Sequence, residues 1–290
     1  MDHLTRSLGA LGTNPPTGVT EALSVHGSDW LWAVTAIYLL VFLVLLTFCF
    51  TTPEADRVFH YLFTCTLLAG STAYFAQAAD LGWTAIDVDN NDGGRQLFWA
   101  KYANWAVSFP AAAIALGLLS DVSWTTIFTN VFSCLLWVVT YLLGSFVATS
   151  YRWGLFAFGT LAYVILAMST LNESREAAQR KGITKDYMIL AGIANAAWLL
   201  YPVAWGLGDG SGTIGVTAAW IFVGVLDLVQ TPLLAVAFVV LSRRWNYAHL
   251  NLDLSESRSG WHAGGGDESG HDNGKIGASP EALPLQETAV

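Results

Sequence analysis

Seven apolar stretches, each near the length at which a helix crosses a bilayer, follow one another along this chain, and the charged residues lie in short segments between them. In hydrocarbon every backbone N–H and C=O must find a partner within the protein, so a run of about 20 apolar residues is confined to a helix. Charged residues make up only 12% of the chain, about half the share usual in a soluble domain. The pattern predicts an all-α membrane protein, a bundle of seven transmembrane helices. Their expected bounds are Asp29–Phe50, Arg57–Leu81, Arg95–Leu119, Trp124–Val147, Tyr151–Leu171, Asp186–Gly208 and Thr213–Arg244.

The connections fit this reading. Thr51-Thr52-Pro53-Glu54 breaks the first helix from the second, because proline and the residue before it resist helix continuation. The longest outer connection, Trp83–Arg95, holds the turn signal Asn90-Asn91-Asp92-Gly93-Gly94, and a β-hairpin is predicted there, between the second and third helices. With the N-terminus outside, the inner segments collect Arg57, Arg175, Arg180, Lys181, Lys185, Arg243 and Arg244, against Arg6, Arg95 and Arg152 outside. Such a bias marks the cytosolic side, so the C-terminus lies inside. The glycosylation acceptor Asn172-Glu173-Ser174 then falls in the cytosol and is expected to be unused.

Three regions follow: an extracellular N-terminal segment over 1–28, the bundle over 29–245, and a disordered, acidic cytosolic tail over 246–290, rich in Gly and Ser. The first 28 residues lack an apolar core of signal-peptide type, so the first helix is expected to direct insertion itself. The net charge of −9 owes much to the tail, and without a basic patch nucleic acid is not an expected partner. Cys49, Cys65 and Cys134 all fall within apolar runs and read as small buried hydrophobes.

The last apolar run carries Asp227 and no lysine; the chain's lysines are Lys101, Lys181, Lys185 and Lys275. A carboxylate at that depth is costly unless paired, hydrogen-bonded or neutral. Two readings are open. Asp227 is a functional ionisable group, or it is a satisfied acceptor, for which Tyr74 and Tyr201 are the candidate donors. Lys101 is the expected cationic partner, giving a buried Lys101–Asp227 pair. Trp198, Tyr201 and Trp205 share one helical face, with Pro202 among them to kink the helix. These rings either pack a core or surround a gap suited to a flat apolar ligand. The candidate pocket is Tyr74, Trp105, Trp198, Tyr201, Trp205, Asp227 and Thr231, with Trp105 and Thr231 placed in it by the family resemblance below.

Three segments carry a family resemblance: Phe98-Trp99-Ala100-Lys101-Tyr102-Ala103-Asn104-Trp105 followed by Ser108-Phe109-Pro110, then Trp198-Leu199-Leu200-Tyr201-Pro202-Val203-Ala204-Trp205, then Leu226-Asp227-Leu228-Val229. With Ser150-Tyr151-Arg152 they make the chain, from Asp29 to Arg244, resemble the microbial (type I) rhodopsin family. In its light-driven proton pumps, the resemblance implies, a seventh-helix lysine carries retinal as a protonated Schiff base and a third-helix carboxylate takes the proton. An arginine one turn earlier steers release, and a carboxylate further in returns a proton. The matching positions here are Thr231, Asn104, Lys101 and Ala115. Threonine forms no imine, asparagine does not ionise, and alanine relays nothing. Covalent retinal is therefore not expected, and neither is light-driven pumping.

The lysine-less pattern, with His26-Gly27-Ser28-Asp29-Trp30-Leu31-Trp32-Ala33, resembles the fungal opsin-related, heat-shock-associated branch of that family. The resemblance implies a plasma-membrane protein with a stress-response or chaperone-like role, which contacts the lipid bilayer and other membrane proteins and forms homo-oligomers. Two alternatives stand beside it. One is a proton or weak-acid transporter gated by Lys101 and Asp227. The other is a sensor that binds a polyene non-covalently. No metal-ligand cluster, Ser/His/Asp grouping or phosphate loop is legible in the sequence, so no cofactor, metal or catalytic residue is assigned and an enzyme is not expected.

Overall fold

The computed structural model describes residues 9–53, 56–86, 94–247, 249–250 and 252. The seven helical spans are Val25–Thr51, Val58–Ala78, Ala100–Ser120, Trp124–Phe146, Arg152–Arg180, Thr184–Gly210 and Val216–Ser242. All but the second are long and apolar enough to cross a membrane by length and composition. The second is 21 residues long; its His60, Thr64, Thr66, Ser71 and Gln77 dilute its apolar character but are buried inside the bundle. Each of the first five spans packs on the next, and the seventh returns to the first. There the indole of Trp30 donates to the carbonyl of Trp220 at 3.1 Å.

Local chemistry sets the helix ends. Ser24 caps the first span by accepting from the Gly27 amide at 3.1 Å, and Ser123 caps the fourth through Thr126 at 3.2 Å. The third stops at Asp121, whose φ of 57° is left-handed. The fifth, sixth and seventh spans each contain a π turn, at Ser169–Glu173, Gly206–Gly210 and Val229–Leu233. In the seventh the cause is local: Pro232 has no N–H to give the carbonyl of Leu228, and the helix widens there.

The predicted hairpin is present. Strand β1 (Trp83–Ile86) pairs antiparallel with β2 (Arg95–Phe98), from Trp83↔Phe98 to Ile86↔Arg95. Most of the turn signal expected to close it lies outside the described residues. Gln96 ties the hairpin down: its amide donates to the Asp80 carboxylate at 2.6 Å, and its carbonyl accepts from the Leu23 amide at 2.8 Å.

Several expected bounds move. The third helix starts at Ala100, because Arg95–Phe98 is committed to the strand. The fifth runs past Leu171 to Arg180, because a π turn carries it into a polar extension. The first begins at Val25, within the expected N-terminal segment. Past the seventh span, Tyr247, Leu250 and Leu252 are buried on the bundle, and the indole of Trp245 donates to Asp186 at 2.8 Å. The packed region therefore continues beyond residue 245, while the tail expected to be disordered lies, from 253 on, outside the described residues. Cys49 and Cys134 are buried as expected, but Cys65 is exposed on the outer surface.

The exterior of the spans is apolar, with Leu40, Phe50, Phe128, Phe132, Phe158 and Leu199 turned outward. Polar and aromatic side chains fill the interior, the arrangement expected when lipid surrounds the bundle. Small residues let the helices approach. A Cβ on Gly159 would lie 2.4 Å from Thr140 Oγ1 and 2.7 Å from the Tyr141 ring, whereas Gly154 has nothing within 4 Å. Gly159→Ala should therefore destabilise the purified protein by about 1–3 kcal/mol through overpacking. Gly154→Ala should be neutral or stabilising by up to about 1 kcal/mol. Thermal melts of the two variants check this; equal melting temperatures would contradict the packing described.

Candidate functional site

Asp227 sits on the seventh span two residues before its π turn and is 2% exposed. Three other spans supply donors to its carboxylate. Tyr201 Oη donates to Oδ1 at 2.5 Å and Trp105 Nε1 to the same oxygen at 3.0 Å. Tyr74 Oη donates to Oδ2 at 2.5 Å, and Asn104 Nδ2 approaches that oxygen at 3.5 Å. The first span joins through the backbone, where Tyr38 Oη donates to the carbonyl of Asp227 at 2.9 Å. Five spans thus meet at one residue, and of the two readings open for Asp227 the geometry supports the satisfied acceptor. Burying a carboxylate is tolerable when hydrogen bonds replace its water, and bonds to a charged group are stronger than neutral ones.

Lys101 has a different partner from the one expected. Its ammonium forms an ion pair with Asp209 Oδ2, with both side chains buried. Asp209 lies in the π turn that closes the sixth span, which brings it over the first turn of the third. Tyr102 Oη also donates to Asp209, at 2.5 Å, and contacts Ser145 Oγ at 2.6 Å. Trp205 Nε1 donates to the same serine oxygen at 3.0 Å. The rings of Tyr102, Trp105 and Trp220 surround the ammonium at 5.2, 5.8 and 5.6 Å, a cation–π environment. The expected Lys101–Asp227 pair is therefore replaced by Lys101–Asp209. Arg152 is buried alongside, donating to the carbonyls of Gly210 at 2.7 Å and Ala148 at 2.9 Å.

The aromatic face of the sixth span divides into three parts. Tyr201 belongs to the Asp227 hub. Trp205 turns to the fourth and fifth spans, 5.0 Å from Tyr141 and stacked on Phe156 at 5.3 Å. Trp198 lies deeper, 6.3 Å from Phe109, and its indole nitrogen has no hydrogen-bond partner among the described residues. Thr231 is buried beside the Tyr38 hydroxyl, with Asn104. Ala115 is buried in the core of the third span and contributes only packing. Several residues of these clusters were not singled out from the sequence, among them Asp209, Tyr38, Ser145, Tyr141, Phe156 and Trp220. Asp209 had a usable signal, because it is a carboxylate one helical turn past Trp205 in an otherwise uncharged run. The others are ordinary aromatic residues and one serine in apolar spans.

The family model described as bacteriorhodopsin-like protein matches residues 27–242. The opsin-like protein carO of Fusarium fujikuroi is 31% identical over 88% of this chain and 88% of its own length. The 30 kDa heat shock protein of Saccharomyces cerevisiae is 30% identical over 76% of this chain and 73% of its own. Among solved structures, a light-driven proton pump from Leptosphaeria maculans superposes with a TM-score of 0.73 at 24% identity, covering 80% of this chain and 98% of that one. At that identity the likeness establishes the fold.

Cutting either member of the Lys101–Asp209 pair should strand a buried charge. Lys101→Met or Asp209→Asn alone should cost about 3–5 kcal/mol, and the double variant much less than their sum. A double-mutant cycle between Lys101 and Asp227 should show weaker coupling than this one. The reverse order would restore the pairing expected from sequence. Tyr201→Phe should cost about 1.5–3 kcal/mol by removing a bond to a charged acceptor, read as a shift in the unfolding midpoint.

Proposed function

The chain belongs to the bacteriorhodopsin-like protein family, and we propose that it is an opsin-related membrane protein that works without covalently bound retinal, in the response of the plasma membrane to stress. The observation that carries this reading is the residue at 231. A Schiff base needs a primary amine, and Thr231, buried one turn past Asp227, offers a hydroxyl. Among the described residues the buried lysine is Lys101, and it is held by Asp209 near the outer end of the third span. The residues present therefore do not fit a covalent retinal.

The pump chemistry implied by the family resemblance also lacks its other groups. Asn104 cannot accept a proton in place of a carboxylate, and Ala115 cannot return one. The remaining carboxylate, Asp227, is occupied by tyrosine and tryptophan donors. An acceptor enclosed in this way holds helices together; it is poorly placed to exchange protons with solvent. The stress role rests on kinship: one relative is named a 30 kDa heat shock protein. Another is named opsin-like. In this reading the bundle acts through its surface, against lipid, other membrane proteins or further copies of itself.

The test has two parts. Purified protein given all-trans-retinal should show no visible band that remains attached to the polypeptide after denaturation. Deletion of the gene in its host should lower survival after heat or membrane-perturbing stress, and the wild-type chain should restore survival equally in darkness and in light. A denaturation-resistant pigment, or rescue that depends on light, would overturn the proposal. So would full survival without the gene.

A further inference from the structure

The rings of Trp105, Trp198 and Tyr201 were expected to surround either a packed core or a gap for a flat apolar ligand. The structure places a side chain of the protein itself between them. Phe109, one turn after Trp105 on the third span, is 1% exposed. Its ring stacks on Trp105 at 5.7 Å, with an interplanar angle of 11°. It lies 4.8 Å from Tyr201, 5.0 Å from Trp137 and 6.3 Å from Trp198. Four aromatic rings from the third, fourth and sixth spans thus close on a fifth.

A second ring occupies the neighbourhood of Asp227. Tyr38 is fully buried, lies 5.1 Å from the Tyr74 ring, and has its hydroxyl on the Asp227 carbonyl beside Thr231 and Asn104. Gly70 makes room for it. A Cβ at that position would lie 2.3 Å from Tyr38 Cε1, so no larger residue fits while the tyrosine stays. The same Cβ would come within 3.3 Å of Asn104 Oδ1. Tyr38 and Gly70 therefore form a matched pair across the first and second spans.

We infer that Phe109 and Tyr38 are built-in occupants of the aromatic shell, and that together they exclude a flat apolar ligand such as a polyene, whether covalent or not. The inference deepens the function proposed above and rests on it for the class of ligand excluded. It adds a second barrier to the missing amine. Interiors pack at crystal-like density, so a ligand could enter only by driving these rings out of contact with their neighbours. Phe109 is the specificity-determining residue of the shell, and Tyr38 closes the end next to position 231. On this account a sensor that binds a polyene non-covalently is excluded by packing, and a covalent one by the missing amine as well.

The experiment supplies the amine and then the space. Wild type, Thr231→Lys, and Thr231→Lys combined with Phe109→Ala and Tyr38→Ala are each incubated with all-trans-retinal. In the engineered chains the new amine would condense with the retinal aldehyde to an imine, releasing one water. Thr231→Lys alone should stay colourless, and the triple variant should acquire a visible band that hydroxylamine bleaches. Should the triple variant fail to show a cooperative thermal melt, Thr231→Lys with the milder Phe109→Val and Tyr38→Leu carries the same test. A pigment in Thr231→Lys alone overturns the inference, since an amine would then suffice with both rings in place. A folded, opened variant that stays colourless overturns it as well. Either result leaves the function proposal standing, which fails instead on a covalent adduct in the wild type.

Discussion

The buried carboxylate of Asp227 is the constraint around which the rest of the bundle is arranged. At that depth an unsatisfied charge is not tolerated, so the surrounding helices must present donors at fixed positions. The second, third and sixth spans do so with Tyr74, Trp105 and Tyr201. The first adds Tyr38 at the backbone carbonyl beside the π turn. In lipid, helices gain little from apolar association alone, and interhelical hydrogen bonds with close packing take over that role. One acidic group with donors from several helices therefore sets the mutual rotation of those helices.

A second polar layer lies nearer the outer end, where Lys101, Asp209, Tyr102, Ser145 and Trp205 form a connected set. The two layers share the third span: Lys101 and Tyr102 serve the outer one, and Asn104 and Trp105, one turn on, serve the inner. Between the inner layer and the cytosolic half the core is aromatic, centred on Phe109. The architecture is that of the bacteriorhodopsin-like family, with an interior of packed and hydrogen-bonded side chains.

Much of this was legible in the residues. Length and apolarity located the spans, because backbone hydrogen bonding in hydrocarbon leaves few alternatives. Tyr74 and Tyr201 could be named as donors to Asp227, because a buried acceptor demands hydroxyl or amide partners and few were available. The partner of Lys101 was misassigned for a geometric reason. Two carboxylates compete for it, and Asp209 comes within reach only through the Gly206–Gly210 π turn, which periodicity on a regular helix does not register. Arg95 was drawn into a helix because four strand residues adjoin an apolar run directly. Phe109 was invisible as a special residue, since a phenylalanine in a span is ordinary until the rings around it are placed. Tyr38 was hidden likewise, its pairing with Gly70 joining residues far apart in sequence.

The central claim is that Asp227 is a saturated acceptor that binds helices together. Proton NMR of tyrosine-labelled protein addresses it most directly, with Tyr74→Phe and Tyr201→Phe assigning the signals. The account predicts two hydroxyl protons shifted far downfield, one from each tyrosine, that exchange slowly with bulk water. Hydroxyl protons at ordinary positions that exchange at once would show Asp227 open to solvent, and the account would be wrong.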